Sequence, residues 1–150
     1  MIGKKGKKRR DQIINKALSL IRQGGIQVLT MRKVAALAGI TEASAYRYFP
    51  DKASLLTGII EELKADLIGP ITRILESESP PEVKLQKIVS FHLQFVNASE
   101  GLPLVFMAEI ASGNERALVP HIRGLIESYQ GILEELLTGI IGANASPTAK

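Results

Sequence analysis

The chain has 150 residues, 45% of them hydrophobic, enough for one domain or two small ones with a real core. It contains no cysteine, which excludes a disulfide framework and a thiolate metal site and fits a reducing, cytoplasmic setting. The net charge of +4 is unevenly spread: residues 1–58 carry 12 Lys and Arg against 3 Asp and Glu, or +9, and residues 59–150 carry 7 against 12, or −5. A basic segment followed by an acidic one places any polyanionic partner on the first segment alone. No apolar run approaches roughly 18 residues, so no membrane span or membrane partner is expected. The basic start, MIGKKGKKRR, leads into a polar amphipathic stretch and not into the apolar core of a signal peptide.

In chain order, residues 1–10 read as a basic disordered tail, because six like charges in ten residues do not pack. A first helix is predicted from Asp11 to Arg22, with Ile14, Ala17, Leu18 and Ile21 on one face and Gly24-Gly25 as its stop. Thr30 caps a second helix over Met31–Ala38, on which Val34, Leu37 and Ala38 fall at helical spacing. Gly39 supplies a left-handed turn, Ile40 an apolar plug, and Thr41 the cap of a third helix over Glu42–Phe49. Pro50 and Asp51 start a fourth helix that runs through Leu55, Leu56, Ile59, Ile60, Leu63 and Leu67 toward Leu75, with Gly69-Pro70 as a point of interruption. After the SESPPE turn, a fifth helix carries Val83, Ile88, Phe91, Phe95 and Val96. A sixth covers about Leu104–Ala111. A seventh begins near Glu115 or Pro120 and continues to Ile141. No strand and no repeat is predicted, so the fold class is all-α.

Helix, four-residue turn and helix over residues 30–52, TMRKVAALAGITEASAYRYFPDK, form the helix-turn-helix pattern. The third helix bears Thr41, Glu42, Ser44, Tyr46, Arg47 and Tyr48, too many polar and aromatic groups for a buried segment. Ala45 and Phe49, four apart, are its buried face. A major groove about 12 Å wide admits one helix, and its base edges are distinguishable there. Arg47 is the best base reader, because its fork matches guanine O6 and N7. Glu42 suits cytosine N4 and Ala43 a thymine methyl.

The stretch resembles the DNA-binding signature of the tetracycline-repressor (TetR) family. Thr30, Arg32, Val34, Ala35, Gly39, Ile40, Thr41, Tyr46, Tyr48, Phe49 and Lys52 carry the resemblance, which extends over about residues 9–66. It implies a DNA-binding domain over residues 11–54 and a helical effector-binding and dimerisation domain over 55–150. It also implies a DNA interface of Thr30, Arg32, Thr41, Glu42, Ala43, Ser44, Tyr46, Arg47, Tyr48 and Lys52. In that interface Tyr46 and Tyr48 donate to phosphates, and Lys52 holds a phosphate together with the free amides at the start of the fourth helix. Thr30 and Arg32 grip the other side of the groove, and the basic tail reaches a neighbouring minor groove. Two positions depart from the family pattern: Met31 stands where a hydroxyl is common, and Ala45 where a larger aliphatic residue is common.

The second domain is expected to enclose an effector pocket lined by Leu67, Phe91, Phe95, Phe106, Met107 and Tyr129. His92 and His121 lack metal-ligand spacing, so no metal and no cofactor is expected. No nucleophile–base pair, phosphate loop or dinucleotide fingerprint is present, and no enzymatic activity is expected. Related chains continue for two further helices that build the dimer. This sequence stops after the seventh, so either the usual dimer surface is missing or the wide apolar stripe of the seventh helix supplies it. The reading is a transcriptional repressor that binds double-stranded DNA at a palindromic operator as a homodimer and is released by a small-molecule effector. The alternative is a helical ligand-binding or protein-interaction module whose helix-turn-helix does not bind DNA.

Overall fold

A computed structural model describes residues 4–113 and 115–145. Seven α-helices follow in order: α1 (Lys4–Gly24), α2 (Met31–Leu37), α3 (Glu42–Tyr48), α4 (Lys52–Leu75), α5 (Pro81–Ala98), α6 (Leu102–Ala111) and α7 (Val119–Ala145). Short 3-10 turns lie at Ile26–Val28 and Arg116–Leu118, and no strand occurs among the described residues. The helix boundaries follow the signals in the sequence, with one large exception. Residues 4–10, expected as a disordered tail, are the first two turns of α1. Two contacts explain the order of Arg9 and Arg10. Arg9 Nη1 donates to Gln12 Oε1 at 2.8 Å, and Arg10 Nη1 meets Glu62 Oε1 at 2.9 Å. A like-charged segment is thus continued by a helix already nucleated downstream, at little further cost per residue.

The chain divides into two compact units, one of residues 1–62 with 104–119 and the other of 63–103 with 120–150. The expected boundary after residue 54 is therefore displaced to Glu62, and α6 from Leu104 onward lies in the unit of the first helices. Phe106 of α6 and Leu118 of the following 3-10 turn are fully buried, and Gln27 Nε2 donates to Glu109 Oε1 of α6 at 3.0 Å.

In the first unit the predicted stripe of α1 is buried at Ile14, Ala17 and Ile21, with Ile13 and Leu20 added beside it. Val34 and Ala35 of α2, Ala45 of α3, Phe49, and Leu55, Leu56, Ile59 and Ile60 of α4 are buried in the same unit, with α1 against α2 and α2 against α3. The turn between α2 and α3 is a Schellman closure. Ile40 N–H donates to Ala35 O at 3.0 Å and Gly39 N–H to Ala36 O at 3.2 Å, with Gly39 at φ +66°. The second unit is centred on Leu67, Ile71, Ile88 and Leu136, with Phe91, Phe95, Leu125, Tyr129 and Ile132 packed around them. Val83, expected on the apolar face of α5, is exposed; Leu85 takes that role. Pro70 lies within α4 without ending it. One backbone donor is lost there, and Thr72 Oγ1 adds a bond back to Ile68 O at 2.9 Å.

The packing around α4 and its cap are both open to test. A Cβ on Gly58 would sit 2.9 Å from Phe49 Cε1 and 3.2 Å from Arg10 Nη2. The ring is buried, with the Arg10 guanidinium 5.3 Å from its centre, so Gly58→Ala is expected to lose stability by about 1 kcal/mol in urea denaturation, overpacking outweighing the helix-propensity gain. Asp51 caps α4, Oδ1 accepting from Ser54 N–H at 2.7 Å. That backbone bond, and then the Ser54 hydroxyl, hold its carboxyl below the ordinary value of 3.8. Its stabilisation is present above that value and is lost as pH falls through the lowered one. Asp51→Ala is therefore expected to lower the melting temperature at pH 7, with the difference shrinking toward zero on acidification.

Candidate nucleic-acid interface

α3 is capped by Thr41, whose Oγ1 accepts from Ser44 N–H at 3.1 Å and donates to Ser44 Oγ at 2.9 Å. Thr30 does the same for α2, accepting from Lys33 N–H at 3.2 Å. Both hydroxyls expected at DNA thus hold the ends of the two helices, and Ser44 keeps its own hydroxyl proton for an outside acceptor. Ala45 and Phe49 are buried as expected, and Met31, at its hydroxyl-rich position, is buried too. On the opposite side Glu42, Ala43, Tyr46 and Arg47 are exposed, Tyr46 by 44%, while Ser44 and Tyr48 are half-buried. Arg32 is exposed at the start of α2. The outward set therefore lies along one side of a short helix whose other side is anchored in the core, the arrangement that presents side chains to base edges.

Lys52 opens α4, but its ammonium is engaged within the protein. Its Nζ donates to Ile26 O at 2.9 Å and lies 3.8 Å from Glu115 Oε1. The Ser54 amide at the start of α4 is taken by Asp51. The expected phosphate seat of lysine plus free amides is thus partly filled from within. The cause is the positive end of the helix, which attracts a carboxylate and turns the ammonium away. An ammonium has three protons, so one remains for a phosphate beside Ile26 O and Glu115.

Arg10, expected in the tail, instead organises the site. Its guanidinium stands 5.3 Å from the centre of the Phe49 ring while it pairs with Glu62. Arg9 lines a groove with Ile40, Ser44, Arg47 and Tyr48. The signal that points to it is the spacing of Lys5, Arg9, Gln12 and Lys16, a polar stripe continuing the first helix N-terminally.

Residues 13–59 match the family described as bacterial regulatory proteins, tetR family. The chain belongs to the TetR family. It is a DNA-binding transcriptional regulator, and the alternative of a helix-turn-helix without DNA is not favoured. The nucleoid occlusion factor SlmA of Photobacterium profundum is 29% identical over 138 residues, covering 91% of this chain and 70% of that protein. SlmA of Citrobacter koseri is 32% identical over 130 residues, 86% of this chain and 66% of its own length. The fold resembles the transcriptional regulator FadR from Bacillus subtilis, solved in complex with stearoyl-CoA, with a TM-score of 0.77 at 23% identity over 93% of this chain and 75% of that one. It also resembles the fatty acid degradation regulator FadR of Bacillus halodurans, with a TM-score of 0.73 at 27% identity, covering 87% and 67%. Among the described residues no helix is long and apolar enough to cross a membrane.

The residues expected around an effector fall into two groups in this TetR-family chain. Leu67, Phe91, Phe95 and Tyr129 come together in the second unit, the Phe91 and Phe95 rings 6.3 Å apart. Phe106, fully buried, and Met107, 44% exposed, belong to the other unit. His92, for which the sequence indicates no ligand role, has its ring 5.3 Å from that of Tyr129, and its Nδ1 is buried without a hydrogen-bond partner among the described residues. Burial pushes the Tyr129 phenol above its ordinary value of 10.0.

Arg47→Ala is expected to relax selectivity at one base position by about 1–3 kcal/mol, and Tyr46→Phe to weaken binding to all sequences alike. Competition binding with single-base operator variants measures both.

Proposed function

We propose that this protein represses transcription by occupying a palindromic operator as a homodimer, and that a small molecule taken up by the second unit ends that occupancy. The observation that carries the reading is the division of α3 into a buried side, Ala45 with Phe49, and an outward side bearing Glu42, Ala43, Tyr46 and Arg47. In this reading Arg47, Glu42 and Ala43 meet bases. Thr30, Arg32, Thr41, Ser44, Tyr46, Tyr48 and Lys52 meet or position the phosphates. Phe91, Phe95, Tyr129 and Leu67 form the apolar wall of the effector site, with His92 Nδ1 as its polar point.

The coupling is supported by the path of the chain. Residues 104–119 join the DNA-binding unit between two segments of the effector unit. They hold it through Glu109 on Gln27 and Glu115 on Lys52. A ligand that shifts the flanking segments acts on this strap and, through Lys52, on the phosphate grip. It must bind the two states with different affinity to do so. Dimerisation is supported by the second face of α7, where Ile126, Leu137 and Ile141 are 39%, 47% and 67% exposed. Two copies give two half-sites about one turn of duplex apart.

The test is selection of a duplex from a random pool, followed by light scattering of the complex. A palindromic product bound by two chains is expected, with log K falling against log salt by several units if about six to ten phosphates are contacted. A product without symmetry, or a flat salt dependence, overturns the reading. The SlmA relatives favour a second reading, a factor acting on the nucleoid at large. Chromosome-wide mapping separates the two: one or a few sites beside a gene support the repressor, and many scattered sites support the nucleoid factor.

A further inference from the structure

We propose that the N-terminal turns of α1 form a second phosphate track, which carries the DNA backbone away from the recognition helix and lengthens the bound duplex beyond the bases read by α3. The inference rests on the DNA-binding reading and adds a surface to it. Three observations lead to it. Residues 4–10 are helical, so the positions of Lys5, Lys8 and Arg9 are set by the helix. Lys5, Lys8, Arg9 and Gln12 line one groove together with Tyr48, and Arg9 and Tyr48 line the next with Ser44 and Arg47. The two grooves share Arg9 and Tyr48, so the basic surface of α1 is continuous with the outward face of α3.

The charge on this track is uncompensated. Among the described residues no Asp or Glu lines either groove, and Asp11 lines a neighbouring groove with Lys7, Lys8 and Lys16. Among the same residues Lys5 and Lys8 form no ion pair. Arg9 is positioned, since Nη1 is held by Gln12 Oε1 at 2.8 Å, and Gln12 Nε2 in turn points to Ala38 O at 3.5 Å. A guanidinium has five donors, so four remain for an outside acceptor. From Lys5 to Gln12 the helix rises about 10 Å, and the phosphates of one strand follow each other at about 3.4 Å along the duplex axis. The track is therefore long enough for two or more consecutive phosphates. Its chemistry, fixed cations beside a tyrosine hydroxyl with no base-shaped cleft, recognises backbone and carries no sequence information.

The test uses the full chain and a duplex selected by it, once with long flanks and once trimmed to the symmetric core. The variant is Lys5→Gln with Lys8→Gln, which keeps good helix formers at both positions. On the long duplex the log–log salt slope is expected to fall by about two units, near 0.9 for each phosphate no longer neutralised. Base preference stays unchanged, and on the trimmed duplex variant and wild type converge. Lys5→Arg with Lys8→Arg restores the slope. An unchanged slope on the long duplex overturns the track, as does dependence of the loss on A·T against G·C in the flank, which would place these residues in a minor groove. The two readings fail separately. A wild-type chain that selects no sequence but keeps the steep, lysine-dependent slope sinks base recognition and leaves the track standing.

Discussion

A helix of seven residues does not stand alone in water, since nucleation costs more than two turns return. Everything in the DNA-binding unit depends on how α3 is held in place. Its anchors are Ala45 and Phe49, both buried. The Phe49 ring lies against Gly58 of α4 on one side and near the Arg10 guanidinium of α1 on another. Arg10 then closes the arrangement onto Glu62, further along α4. One aromatic ring thus ties the end of α3 to the two long helices beside it. The placement of α3, which carries Arg47, depends on that ring and not on α3 alone.

The electrostatics follow the same division of labour. The acidic excess of the second part of the chain is not all remote from the basic part. Glu109 and Glu115 lie in the segment that joins the first unit, and they engage Gln27 and Lys52. Lys52 therefore has partners inside the protein as well as a proposed one outside it. A cation held between a carbonyl, a carboxylate and a phosphate is a balance that small shifts of any one partner tip. In the proposed mechanism that balance links effector to operator without a large rearrangement of the helix-turn-helix.

The second unit buries mainly apolar side chains, and the pair His92 and Tyr129 brings polar atoms among them. Leaving a buried nitrogen without a partner costs free energy. A ligand that supplies the missing hydrogen bond recovers it. Phe91 and Phe95 of α5 and Tyr129 pack against the same core, the apolar wall that the proposed effector site requires. Ile126, Leu137 and Ile141 of α7 are exposed and are not part of that core.

Local chemistry was legible in the sequence because it acts over a few residues. Thr30 and Thr41 as caps, Gly39 as a left-handed turn, and Ala45 with Phe49 as a buried pair all follow from side-chain geometry and helical spacing, and the structure repeats them. The TetR signature was legible for the same reason, since its residues lie within one short stretch. What lies far apart along the chain was not legible. The order of residues 4–10 depends in part on Arg10 meeting Glu62, 52 positions away. The place of α6 in the first unit depends on Glu109 meeting Gln27, 82 positions away. The occupation of Lys52 depends on Ile26 and Glu115. Sequence periodicity reports which face of a helix is apolar, but the partner of that face is chosen by the packing of the whole chain, and so only the tertiary structure decided these.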